Sequence, residues 1–167
     1  STSMDGNTAA IIVRDVYRRS TMSTDLHILN YSTQNNRWNI GQVFRYSDIG
    51  FKIKNVAIRG DIIVVTGNNF IKVIERTNNW WGPNIVTIAE NNNIPHRFNS
   101  IAIDGNTNTI VIGNWYSYFL DMQPGRVYIF EKGSSGWSVT RELTITRRIE
   151  DGPRADLYGY TNHYGQY

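Results

Sequence analysis

The sequence predicts an all-β chain of about three four-stranded repeats of the propeller-blade kind, with complementary partial strands at its two ends. Three observations predict it. The composition suits strands joined by tight turns, one segment pattern recurs three times, and its Gly-centred turns are spaced much as blades are.

The chain of 167 residues is long enough for one domain with a real core, and 40% hydrophobic with 19% charged residues is a globular balance. Ten Tyr, six Phe and five Trp supply large faces for a pleated sheet. Asn makes up roughly a tenth of the chain and clusters with Gly, Ser and Thr, residues that tolerate the backbone of tight turns.

Three stretches align. In the first, Met4–Val13 carries the Asp5-Gly6 turn and an Ile/Val run, followed by Asp25–Asn30 and then Trp38. In the second, Val56–Val65 carries Gly60-Asp61, followed by Ile71–Glu75 and then Trp80-Trp81. In the third, Ile101–Ile112 carries Asp104-Gly105, followed by Arg126–Glu131 and then Trp137. Each unit therefore reads as a short strand, a Gly turn, an Ile/Val strand, a variable loop, an alternating strand, a polar turn, and a last strand opened by Trp. The turn glycines lie about 54 and then about 45 residues apart, close to the range of blade periods. The second unit has a tight Thr66–Phe70 link where the others carry loops of about a dozen residues. The units are bounded approximately at 1–46, 47–93 and 94–150, with 151–167 starting a further unit or completing the first.

The motifs Ile101-Ala102-Ile103-Asp104-Gly105-Asn106-Thr107 and Gly125-Arg126-Val127-Tyr128-Ile129-Phe130-Glu131-Lys132, the latter followed by Gly136-Trp137, resemble the FG-GAP type of β-propeller repeat found in the integrin α-subunit head. A Phe/Tyr-Gly-like start before a small-residue strand adds to the likeness. It is closest over His96–Leu143, fair in the second unit and loose in the first. The resemblance implies a propeller that presents surfaces. It also implies acidic calcium loops, and none is intact in this chain.

The later units are each expected to open with a lead-in strand, Gly50–Asn55 and Arg97–Ser100, which the first lacks because Ser1 lies close to Asp5-Gly6. Tyr164-Gly165-Gln166-Tyr167 read on into Ser1-Thr2-Ser3 rebuilds such a start, so these seven residues are the candidate assembly positions. Three blades are too few for a ring. The chain is thus expected to continue as a slice of a longer propeller, as half of a six-blade ring, or head to tail in a filament. The lack of an initial Met fits a processed product or a segment of something longer.

Several side-chain groups are weighed as sites. Trp115, Tyr116, Tyr118 and Phe119 in the third unit's loop are candidates to stack on sugar rings or fill a protein interface, against a packing role. Tyr158 and Tyr160 extend the aromatic group at the C-terminus. Asn30-Tyr31-Ser32 is a glycosylation sequon, at a strand end in the place of Glu75 and Glu131. Asp104, Asn106 and Asn108 have the alternating oxygens of a calcium loop but lack its remaining acids, so a hairpin turn is expected and no cofactor. Arg59-Gly60-Asp61 spells an adhesion tripeptide yet aligns with the turns of the other units. Trp38, Trp81 and Trp137 are assigned to the core, and His27 to an outward strand position.

No phosphate loop, metalloprotease or nucleophile-elbow motif is present, and the histidines are isolated, so no enzyme is expected. A net charge of +3, with Arg residues interleaved with acids, argues for a solvated face over nucleic acid. There is no Cys for a disulfide or thiolate site, and no apolar run of the roughly 18 residues that span a membrane. The expectation is an extracellular or surface structural or adhesion module that associates with itself or with further blades. A lectin-like glycan-binding propeller is the alternative, and a propeller glycosidase a remote one.

Overall fold

The computed structural model describes residues 1–14, 24–49, 52–67, 70–90, 98–114 and 125–145. It is all-β apart from one helical turn. The elements are β1 (Thr2–Asp5), β2 (Thr8–Arg14), β3 (Thr24–Ser32), β4 (Arg37–Phe44), α1 (Tyr46–Ile49), β5 (Asn55–Arg59), β6 (Ile62–Thr66), β7 (Phe70–Thr77), β8 (Trp80–Glu90), β9 (Phe98–Asp104), β10 (Thr109–Asn114), β11 (Gly125–Gly133) and β12 (Gly136–Ile145). They form three four-stranded antiparallel meanders, β1–β4, β5–β8 and β9–β12, each ordered as in the chain. Among the described residues no helix is long and apolar enough to cross a membrane.

The repeat is exact at the level of register. Asp5 faces Thr8 and Thr8 faces Asn30; Arg59 faces Ile62 and Ile62 faces Glu75; Asp104 faces Thr109 and Thr109 faces Glu131. Such agreement follows from turn chemistry. Gly6 and Gly60 each have φ of 55°, where a side chain would be strained, and they close two-residue turns. Asn78 and Asn79, both at positive φ, join β7 to β8 as the amide side chains permit. In the first and third sheets a bulge falls at the same place between the third and fourth strands, at Ile28/Leu29 and Ile129/Phe130.

The sheets pack face to face. Ala10, Leu26, Ile28 and Phe44 of the first sheet meet Val56, Ile63, Val65 and Ile74 of the second, with Ile49 and Ile53 filling between them. The opposite face of the second sheet sets Ile62, Val64, Ile71 and Val73 against Phe98, Ile110, Ile112 and Phe130 of the third. A sheet between two others must be apolar on both faces, and every residue of β6 is buried.

One local expectation changes. The lead-in expected at Gly50–Asn55 is not a strand over 52–54, because the Ile53 N–H turns aside to the buried Thr24 hydroxyl at 2.8 Å. Before it stands the single turn α1, in which the Asp48 carboxylate accepts the Arg45 N–H at 2.7 Å and the buried Ile49 anchors the far end. Among the described residues the first unit already has four strands. Thr2–Asp5 pairs with β2, and Ile12 donates to the Ser1 carbonyl, so residues 2–44 complete a four-stranded sheet.

Candidate assembly surfaces

Because side chains alternate along a strand, Ser1, Ser3 and Asp5 all face the second sheet. There they accept alternate backbone N–H groups of β5 and of the turn that follows it. Ser1 Oγ takes the N–H of Val56 at 3.4 Å, Ser3 Oγ that of Ile58 at 3.1 Å, and Asp5 Oδ2 that of Gly60 at 2.6 Å. The Arg59 guanidinium adds an ion pair to Asp5 at 3.2 Å. At the outer edge of the same seam Gln42 of β4 holds the backbone of Trp81, donating to its carbonyl at 2.8 Å and accepting its N–H at 3.2 Å. Short side-chain oxygens thus bind one sheet to the backbone of the next.

The second seam uses equivalent positions on its first strand and a different one, Glu75, at its outer edge. Asn55, which stands where Ser1 stands, donates to the Phe98 carbonyl of β9 at 2.6 Å. Arg59, in the place of Asp5, lies over Gly105, where a Cβ would sit 3.1 Å from its Cγ. At the outer edge Glu75 accepts the Trp137 indole N–H at 2.7 Å and the Lys132 ammonium at 2.8 Å. Burial pushes the Glu75 carboxyl up, but the hydrogen bonds from Lys132 and Trp137, with the Lys132 charge, outweigh it and hold the group below the usual carboxylate range.

A third set of the same positions faces outward. Ser100, Ala102 and Asp104 on β9 and Glu131 on β11 occupy the places of Asn55, Ala57, Arg59 and Glu75, and all four are exposed. On the far side of the first sheet, Met4, Trp38 and Ile40 are exposed, with Trp38 against Tyr31 in a tilted contact at 5.4 Å between ring centroids.

Of the residues singled out from sequence, Ser1 and Ser3 lie in the first seam and Thr2 points to the opposite, exposed side. Tyr164, Gly165, Gln166 and Tyr167 lie outside the described residues, as do Trp115, Tyr116, Tyr118, Phe119, Tyr158 and Tyr160. Asn30 is exposed but not at a strand end, since β3 runs on to Ser32. Its amide nitrogen lies over Gly41, where any Cβ would collide with it. Asp104, Asn106 and Asn108 form a hairpin turn. The Thr107 hydroxyl, then the Asn106 N–H, donate to the Asp104 carboxylate and, with the Arg59 charge, hold it below the usual range. Among the described residues no group of three or more His, Cys, Asp or Glu could hold a metal.

Arg59-Gly60-Asp61 is spent on the framework, because Arg59 pairs with Asp5 and Asp61 with Arg76 at 2.6 Å. Trp81 is buried and Trp137 half-buried, whereas Trp38 is not core. His27, expected to point outward, is half-buried on the open side of the first sheet. Sequence reasoning missed Asp5, Gln42 and Glu75 as seam residues. The aligned Asn30, Glu75 and Glu131 were the available signal. No family model matches the chain, and a search of curated proteins finds no match.

Proposed function

We propose that the chain is a non-catalytic, extracellular or surface structural or adhesion module whose three sheets are propeller-type blades, and that it works by continuing into further units. One observation carries this reading. The short first strand of each sheet reaches the backbone of the next through the same position, Ser1 in one seam and Asn55 in the other, and the matching Ser100 is exposed on the third sheet. Apolar residues such as Met4, Ile40 and Leu143 stand on the outer sheets, the kind of surface that drives association. The contact would join different faces of successive units, so it closes into a ring or extends as a filament according to the angle between units.

Light scattering across a concentration series tests the proposal. Mass above that of the monomer, rising with concentration or settled at a fixed multiple, is the expected result. A monodisperse monomer at every concentration would refute it.

A further inference from the structure

We infer that the outward face of the third sheet docks on the outward face of the first sheet of a second copy, with Glu131 accepting the indole N–H of that copy's Trp38. This rests on the assembly proposed above and specifies its contact.

The argument is one of equivalence. Strand register makes Asn30, Glu75 and Glu131 the same position, and the aligned tryptophans that open the fourth strands are Trp38, Trp81 and Trp137. Within the chain, Glu75 of one sheet takes the indole N–H of Trp137 in the next. The first seam carries Asn30 at this position, its amide lying over Gly41, so the carboxylate of the second seam is the template, and repeating its step places Glu131 against Trp38 of a following copy. The chemistry suits both partners. Among the described residues neither the Glu131 carboxylate nor the Trp38 indole N–H has a hydrogen-bond partner, and Trp38 is 40% exposed. Tyr31 stands in the position of Lys132 but its hydroxyl already donates to Asn36, so the Trp38 indole is the donor left for the carboxylate.

The apolar middle of the contact follows the same rule. Ala102, Val111 and Ile129 of the third sheet take the places of Ala57, Val64 and Val73, the face that the second sheet buries. Met4, Ala9 and Leu29 of the first sheet take the places of Ile58, Ile63 and Ile74, which meet a neighbour's core. Ile40, 64% exposed, and Leu143, 53% exposed, flank the two halves. At the inner end the register sets Asp104 near Asp5 of the second copy, a like-charge approach that the Asp5–Arg59 pair only partly neutralises.

A mixing experiment tests this. Ile40→Lys blocks the first-sheet face and Leu143→Lys the third-sheet face, and both side chains are exposed enough for the fold to survive, as circular dichroism checks. Each variant alone should fall to monomer mass, and an equimolar mixture should recover a one-to-one dimer through the two unblocked faces. Wild-type assembly that both variants preserve would overturn the contact and leave the wider assembly reading standing. Disruption by one variant only would overturn it in favour of a two-fold contact, and a wild-type monomer would overturn both readings. Substitutions that leave packing alone give a second test. Trp38→Phe and Glu131→Gln should each weaken assembly about tenfold, as expected for a charge-assisted hydrogen bond at a desolvated contact, while Asp104→Asn should strengthen it. Unchanged assembly in all three overturns the register.

Discussion

The indole N–H of Trp137 donates to Oε1 of Glu75 at 2.7 Å across 62 residues of sequence, and Lys132 meets the other carboxylate oxygen at 2.8 Å. Both donors come from the third sheet and the acceptor from the second. The carboxyl sits half-buried, and its charged form is kept in spite of the desolvation that opposes it. Since its folded value is lowered, it adds stability above the unfolded carboxylate's value. That contribution fades as pH falls through the lowered folded value.

Trp137→Phe removes one donor while keeping an aromatic ring and Lys132. The Glu75 titration should move upward, and stability at neutral pH should fall by about 1 kcal/mol, after allowance for solvent screening. The difference from wild type should shrink as the pH drops into the acid range. An NMR titration of the Glu75 carboxyl, paired with unfolding curves at neutral and acid pH, checks this. An unmoved titration would sink it.

Asp5 and Arg59 form an ion pair, but the two members are not equal. Arg59 is mostly exposed, whereas Asp5 also accepts the Gly60 N–H at 2.6 Å. Exposed pairs contribute little, so Arg59→Ala should cost less than about 0.5 kcal/mol. Asp5→Ala strips the acceptor from a backbone donor at the seam and should cost about 1–2 kcal/mol. Chemical denaturation of both variants at low and high salt decides the matter. Equal losses, or a salt-sensitive loss in Asp5→Ala, would mean that the charge rather than the backbone bond holds the seam.

Much of this architecture was legible in the sequence because the signals are local. The Ile62-Ile63-Val64-Val65 run and Gly6 and Gly60 at their turns act within one sheet, and the aligned Asn30, Glu75 and Glu131 mark one position of its register. What joins the sheets was not legible. Ser1 and Ser3 read as an ordinary polar terminus until β5 is laid beside them. The turn Tyr46–Ile49 escaped notice because its start is braced by Asp48 reaching back to Arg45, without the Ser or Thr that usually signals such a cap. Trp38 was grouped with Trp81 and Trp137 by alignment, yet burial depends on whether a neighbouring sheet exists, and among the described residues the first sheet has only one.

Two glycines separate crowding from backbone strain. A Cβ on Gly67 would lie 1.9 Å from the Phe70 ring and 2.7 Å from the Lys52 carbonyl, and backbone does not yield cheaply. A Cβ on Gly6 meets nothing within 4 Å but inherits a φ of 55°. Gly67→Ala should therefore cost about 2–3 kcal/mol, and Gly6→Ala about 1 kcal/mol. Gly6→Asn should be milder still, because Asn36, Asn78, Asn79 and Asn108 already adopt this conformation. Thermal unfolding of the three variants ranks them, and Gly6→Asn as damaging as Gly67→Ala would contradict the account.

Thr24 is fully buried, and its hydroxyl accepts the N–H of Ile53 from the segment between the first two sheets. Thr24→Val keeps the shape and removes the acceptor, so a buried donor is stranded at a cost of about 1–3 kcal/mol. Thr24→Ser keeps the bond and should cost less. If the two variants lose stability equally, packing rather than the hydrogen bond fixes that segment.

Among the described residues the second sheet alone packs against a neighbour on each side, and adjacent residues of β6 report the two interfaces separately. Ile63 points into the core shared with the first sheet and Ile62 into the core shared with the third. Ile63→Ala and Ile62→Ala should each cost about 2–5 kcal/mol, the range for truncating a buried aliphatic side chain. At the equivalent places the first sheet carries Thr8 and Ala9, and the third carries Thr109 and Ile110, so the residue that points outward there, Ala9 or Thr109, is small in each. Ala9→Ser and Thr109→Ser should accordingly cost less than about 1 kcal/mol in the isolated chain. Denaturation below and above the concentration at which the protein assembles makes the comparison sharper. Burial of the outer faces should raise the cost of Ala9→Ser and Thr109→Ser and leave that of Ile62→Ala and Ile63→Ala unchanged. A uniform cost at both concentrations would mean that those faces meet nothing.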